Sequence, residues 1–98
     1  MESDGITFFL KEMKVMKDKK EVLLSKTELQ FLQYLMDNAG QIVTKESILE
    51  HIWGVDGQFV DENTVNVNIS RLKKKLATNA ISTVRGLGFI WTANVIRH

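Results

Sequence analysis

Apolar and polar positions alternate at the start of the chain and then shift to a helical period. Ile6-Thr7-Phe8-Phe9-Leu10 is rich in strand formers. Met13-Lys14-Val15-Met16 alternates, and Asp18-Lys19-Lys20 offers a turn before Glu21-Val22-Leu23-Leu24. Residues 6–24 therefore read as a small antiparallel sheet. Ser25-Lys26-Thr27-Glu28 has the spacing of a capping box, in which hydroxyl and carboxylate each satisfy an N–H at a helix start. Leu29, Leu32, Leu35 and Met36 follow on one helical face, and Asn38-Ala39-Gly40 closes a helix over 25–39. Thr44 caps a second helix over 44–53 with a stripe of Ile48, Leu49, Ile52 and Trp53, stopped by Gly54. After a loop over 54–60, Asp61 caps a third helix over 61–77. Residues 81–92 read as a β-hairpin, Ile81 to Arg85 and Phe89 to Thr92, with Gly86-Leu87-Gly88 at its tip.

The third helix separates most sharply. At about 100° per residue, Val65, Ile69, Leu72 and Leu76 share one arc, the core face. The opposite arc holds Asn63, Thr64, Val67, Ser70, Arg71 and Lys74. Asn66 and Lys73 flank it on one side, Asn68 and Lys75 on the other. This outer face mixes amides, hydroxyls and cations, and no acid follows Glu62. Asn can pair with adenine and Arg with guanine in the major groove, while Lys and Arg neutralise phosphates. Val67 would suit a thymine methyl, although a single exposed Val is ordinary. The Lys73–Lys75 run alone is more often a solvated helix end, where cations suit the macrodipole. In the hairpin, Arg85 beside Gly86 and Gly88 suits a narrow minor groove, whose negative potential attracts it. The glycines could equally serve only the turn.

Composition adds limits. The chain has 98 residues, the size of one domain, and 44% of them are hydrophobic. It has no cysteine, which excludes disulfides and thiol nucleophiles and fits a reducing cytoplasm. No apolar run approaches the ~20 residues of a membrane helix, and the acidic, polar start Met1-Glu2-Ser3-Asp4 is unlike a signal peptide. The net charge of +1 conceals a division. Residues 1–62 carry seven Lys and Arg against all twelve Asp and Glu, whereas residues 63–98 carry six basic residues and no acid. A cationic face built from the C-terminal third is expected, with chance clustering as the plainer alternative. His51 and His98 are the only histidines. With no nucleophile–base pair, metal-spaced ligand set or phosphate-binding glycine loop, no enzyme activity, metal or cofactor is expected.

Five segments together resemble the DNA-binding domain of OmpR/PhoB-type response regulators. Leu24-Ser25-Lys26-Thr27-Glu28-Leu29 is similar to the family's entry to helix 1, Gly40 to Glu46 to its helix 1–2 junction, and Ile52-Trp53-Gly54 to the end of helix 2. Asn63 to Leu76 is similar to its recognition helix, and Thr83-Val84-Arg85-Gly86-Leu87-Gly88-Phe89 to its wing, with Phe where Tyr is usual. The resemblance implies an α+β, winged helix-turn-helix fold with an N-terminal antiparallel sheet of usually four strands. Three are legible, which leaves open whether the first is missing.

It also implies double-stranded DNA as partner, with helix 3 in the major groove, the wing in the flanking minor groove, and tandem dimers on direct repeats. Asn63, Thr64, Val67, Asn68, Ser70, Arg71 and Lys73 fall on groove or backbone contacts, with Lys74 beside them. Lys45 falls on a phosphate contact, and Thr83 and Arg85 on wing contacts. Trp53, Asp56 of the following loop and Glu62 match the region that touches RNA polymerase in some members. A winged helix that binds protein through this region, with Phe59 and Val60, is the competing expectation. Asn66, Asn68 and Ser70 stand where the family often has Asp, His and Arg, so base preference does not transfer. The Asn-rich pattern is similar to that of regulators of cell-envelope stress and peptide-antibiotic resistance. The receiver domain, on which a sensor histidine kinase would act, is not in the sequence, as expected of an output domain taken alone.

Overall fold

The computed structural model describes residues 1–54 and 60–97. Four short strands come first: β1 (Glu2–Ser3), β2 (Ile6–Phe9), β3 (Lys14–Lys17) and β4 (Lys20–Val22). They form an antiparallel sheet in chain order. Helix α1 (Lys26–Asp37) follows, then β5 (Ile42–Thr44), α2 (Lys45–Trp53) and α3 (Glu62–Leu76). The hairpin β6 (Ile81–Val84) and β7 (Gly88–Trp91) completes the order. Strand β7 lies between β6 and β5 in a second antiparallel sheet. This is the winged-helix architecture the sequence predicts.

Two strands escape the hydrophobic pattern. The fourth strand of the first sheet is present as β1, only two residues long and therefore without a readable alternation. Its signal is Asp4-Gly5, both with positive φ (51° and 75°), which closes a two-residue turn between Ser3 and Ile6. Strand β5 pairs Val43 with Phe89 and Thr44 with Gly88, tying the helix 1–2 junction to the wing. Its three residues are all β-branched and suit a strand, but the run is too short to show an alternation.

Helix starts obey local chemistry. Ser25 Oγ accepts from Glu28 N at 3.1 Å and Ser25 N donates to Glu28 Oε1 at 2.8 Å, the expected capping box. Thr44 Oγ1 accepts from Ser47 N (3.0 Å), and Asp61 Oδ1 from Asn63 N (2.9 Å). The core gathers Phe31, Leu32, Leu35 and Met36 of α1 with Val65, Ile69, Leu72 and Leu76 of α3. Ile6, Phe8 and Val15 join it from the first sheet, and Val43, Phe89 and Trp91 from the second. Trp91 is fully buried, and its Nε1 donates to Ser3 Oγ (2.8 Å), which in turn donates to Asn94 O (2.6 Å). That chain satisfies the one polar atom of the indole and fastens the short β1 to the second sheet.

The segment after β7 makes a second fastening. Glu2 and Ile96 exchange backbone hydrogen bonds, both 2.8 Å. Arg97 Nη1 binds Asp37 Oδ1 at 3.0 Å, and its Nη2 donates to Asp37 O at 3.1 Å. Helix α1 has no basic residue in its last turn, so Arg97 supplies from afar the cation that suits exposed helix carbonyls.

Candidate nucleic-acid interface

Helix α3 is positioned by its apolar stripe, since Val65, Leu72 and Leu76 are fully buried and Ile69 nearly so. Burying one arc of a straight rod forces the opposite arc outward. Asn63, Val67, Ser70, Arg71 and Lys74 are exposed there, and Thr64 and Lys73 are half-buried at its margins. Among the described residues, the side chains of Asn63, Asn66, Ser70, Arg71 and Lys74 make no hydrogen bond or ion pair within the chain. Asn66, flanking the arc, is also exposed and joins this face.

Asn68 departs from the expectation. It is 8% exposed, and its Nδ2 donates to Thr64 O at 2.8 Å, one turn back along its own helix. On a wheel it lies about 60° from Val65, close enough to the core face for neighbouring elements to cover it. Its amide is engaged with the helix backbone instead of facing outward.

The cationic third is likewise subdivided. Lys75 Nζ lies 2.7 Å from Glu28 Oε1, and Arg97 is held at the end of α1. Four of the six cations, Arg71, Lys73, Lys74 and Arg85, remain without an acid among the described residues. Burial pushes the Glu28 carboxyl up, but the Lys75 ammonium and the Ser25 N–H and hydroxyl outweigh it, holding the group below its ordinary 4.5. Glu28 is therefore ionised at neutral pH, and Lys75 serves α1.

Lys45 is the first residue of α2, half-buried, and shares one cleft with Thr44, Glu46, Gly86 and Leu87. The β5–β7 ladder thus brings the start of α2 beside the wing tip. Thr83 and Arg85 are exposed on the wing, as is the apolar Leu87, which is absent from the sequence-derived site. The two wing glycines have reasons inside the chain. Gly86 has φ +78° with open space around it, so it serves the turn. A Cβ on Gly88 would fall on the Val43 carbonyl oxygen and 2.8 Å from Thr44 Cα, so Gly88 serves the close approach of β5 and β7.

Trp53 is half-buried, with its ring edge-on to Phe31 at 5.8 Å, and so is partly committed to packing. Glu62 begins α3. Asp56, Phe59 and His98 lie outside the described residues. His51 is exposed and stacks on Tyr34 with centroids 4.1 Å apart. Among the described residues, no group of three or more His, Cys, Asp or Glu could hold a metal ion, and no helix is long and apolar enough to cross a membrane.

Comparison with known proteins places this geometry. The family described as "Transcriptional regulatory protein, C terminal" matches residues 19–91. The chain is similar to the response regulator protein GraR of Staphylococcus epidermidis, with 39% identity over 88 residues, covering 86% of this chain and 39% of that protein. It thus spans about two fifths of the length of such curated relatives. The solved DNA-binding domain of Klebsiella pneumoniae RstA, in complex with the RstA box, superposes with TM-score 0.83 at 33% identity, covering 94% of this chain and 95% of that one. The C-terminal domain of the nisin resistance regulator NsrR, a lantibiotic response regulator, is 41% identical with TM-score 0.74, covering 91% of this chain and 93% of that one. By the matched segment, the shared fold and these relatives together, the chain belongs to the family of C-terminal DNA-binding domains of OmpR/PhoB-type transcriptional regulators.

Proposed function

We propose that this chain binds double-stranded DNA sequence-specifically and regulates transcription as the output domain of a two-component response regulator. The observation that carries this reading is the outer face of α3. It holds exposed amides, a hydroxyl and cations that have no partner among the described residues, on a helix whose opposite arc of Val65, Ile69, Leu72 and Leu76 is apolar and buried. In the major groove such groups find base edges and phosphates. Arg85 on the wing reaches the adjacent minor groove, and Lys45 a phosphate between them. Thr83 contributes a backbone contact.

The finer parts of the proposal follow the family. The domain pairs head to tail on a direct-repeat operator in the cytoplasm, and a sensor histidine kinase acts through a receiver domain elsewhere in the regulator. Similarity to the nisin resistance regulator NsrR favours a response to peptide antibiotics or envelope stress. The region of Trp53, Asp56 and Glu62 contacts RNA polymerase as an additional role. Pull-down of polymerase subunits in the absence of DNA tests that role separately.

The main experiment is selection of bound duplexes from a random pool, followed by gel shift with specific and random competitor. A selected element should resist random competitor, and its affinity should fall steeply with salt. Absence of any complex with duplex DNA at low ionic strength overturns the reading.

A further inference from the structure

Lys75 is the one cation of the Lys73–Lys75 run that is bound to an acid among the described residues. Helical geometry puts it one turn beyond Arg71, with Cβ atoms about 5–6 Å apart, at the edge of the face that carries Arg71 and Lys74. The flexible four-carbon stem of a lysine at this place can turn its ammonium toward that face or toward α1. It turns to α1, where Nζ donates to Glu28 Oε1 at 2.7 Å, although the side chain is 42% exposed. The acceptor cannot follow it outward. Glu28 Oε1 also accepts from Ser25 N at 2.8 Å, and Ser25 Oγ accepts from Glu28 N, so the start of α1 fixes the carboxylate. Glu28 Oε2 is buried with no partner among the described residues. Departure of Lys75 would therefore leave a buried charge held by its cap alone. One phosphate contact returns about five-fold in affinity at ~0.15 M salt, which does not exceed the loss from stripping a buried carboxylate of its cation.

We infer that Glu28 competes with DNA for Lys75, withholding one ammonium from the phosphates and so lowering the sequence-independent affinity of the domain. The inference rests on the DNA-binding reading above and deepens it, naming a positioning residue that regulates the strength of that surface without touching DNA. Phosphate contacts supply essentially all of the affinity for an arbitrary duplex, so one cation fewer weakens binding at every sequence and makes it less sensitive to salt. Base choice depends on the exposed arc of α3, which Glu28 does not join. The consequence is a domain that leaves arbitrary duplex more readily.

The test measures binding to a random-sequence duplex and to the selected element over a range of salt, well below the melting temperature of each variant. Glu28→Gln keeps an amide oxygen for the Ser25 cap and removes the charge that retains Lys75. It should bind both duplexes about five-fold tighter at ~0.15 M salt, with the slope of log affinity against log salt steeper by about 0.9. Adding Lys75→Met to Glu28→Gln should abolish that gain. Lys75→Met alone reads the same question whether or not Glu28→Gln folds. A slope equal to that of the unmodified chain supports the withheld ammonium. A slope shallower by about 0.9 means that Lys75 already meets a phosphate, and overturns the inference. An unchanged slope in folded Glu28→Gln, or a steeper one that persists in the double variant, overturns it too, and DNA binding stands in each of these cases. If the unmodified chain binds no duplex at all, the DNA-binding reading falls, and this inference with it.

Discussion

Lys75 Nζ donates to Glu28 Oε1 at 2.7 Å, joining the last turn of α3 to the first turn of α1. The carboxylate is 3% exposed and the lysine side chain 42%, so a buried acid is reached from a partly wetted cation. The same oxygen accepts from Ser25 N, while Oε2 is buried without a partner among the described residues. One carboxylate oxygen therefore both starts α1 and anchors the helix that presents the proposed DNA-binding face.

Breaking this joint should cost stability more than DNA contact. Lys75→Met leaves a buried carboxylate with only its cap, and should destabilise the domain by about 1–3 kcal/mol, the lower end for a broken buried pair because the lysine is partly hydrated. Glu28→Gln should fall in the same range of about 1–3 kcal/mol through the lost charge-assisted bond. The double variant should cost less than the sum of the two, which urea denaturation of all four proteins measures. Strict additivity would mean the pair is not coupled.

The acid limb of stability follows from the direction of the Glu28 shift. Its folded carboxyl lies below the ordinary 4.5, so the folded state binds fewer protons at this site than the unfolded one. The resulting stabilisation is present above that ordinary value and is lost as pH falls through the folded value. Melting temperatures of the unmodified chain and Glu28→Gln should therefore differ most at neutral pH and converge below about pH 4.5. Curves that diverge further in acid would contradict this.

The wing glycines should respond differently to alanine. Gly88→Ala drives a Cβ into the Val43 carbonyl, so β5 and β7 must part, at a cost of roughly 1–3 kcal/mol or more. Gly86→Ala meets no atom and bears only the left-handed backbone conformation, roughly 1–2 kcal/mol. Thermal unfolding ranks the two, and equal losses would remove the close-approach role of Gly88.

Asparagines on the two sides of α3 should also divide. Asn68→Ala loses an intrahelical bond and should shift stability by up to about 1.5 kcal/mol while leaving base preference intact. Asn66→Ala should not lower the melting temperature, because its side chain has no partner among the described residues and alanine is the better helix former. Sequence selection repeated on both variants would show whether Asn68 affects base choice after all.

Arg85→Ala should weaken DNA binding without affecting the fold. The residue is exposed and unpaired among the described residues, so its contribution is expected only in the complex. If it neutralises one phosphate, the slope of log affinity against log salt should become shallower by about 0.9. An unchanged footprint, affinity and slope would remove the wing from the interface.

The amino-acid order alone determined the three helices and the outward face of α3. Capping is a contact between residues two or three apart, and a buried stripe at helical spacing dictates its own opposite face. The Ser25–Glu28 box, the Asp61 cap and the arc from Asn63 to Lys74 are local facts of that kind. What only the folded chain decided involves partners far apart in sequence. Strand β1 pairs locally with β2, but it is fastened to the rest of the domain where Glu2 meets Ile96 and Ser3 meets Trp91, and β5 pairs where Val43 meets Phe89. The duties of the cations were settled in the same way. Lys75 and Arg97 belong to the same acid-free stretch as Lys74 and Arg85, yet packing set Lys75 against Glu28 and Arg97 against Asp37. Periodicity fixes an angle about one helix axis, whereas the neighbour that fills that direction is set by how the elements dock. This is why Asn68, on the margin of the predicted surface, became part of the covered side.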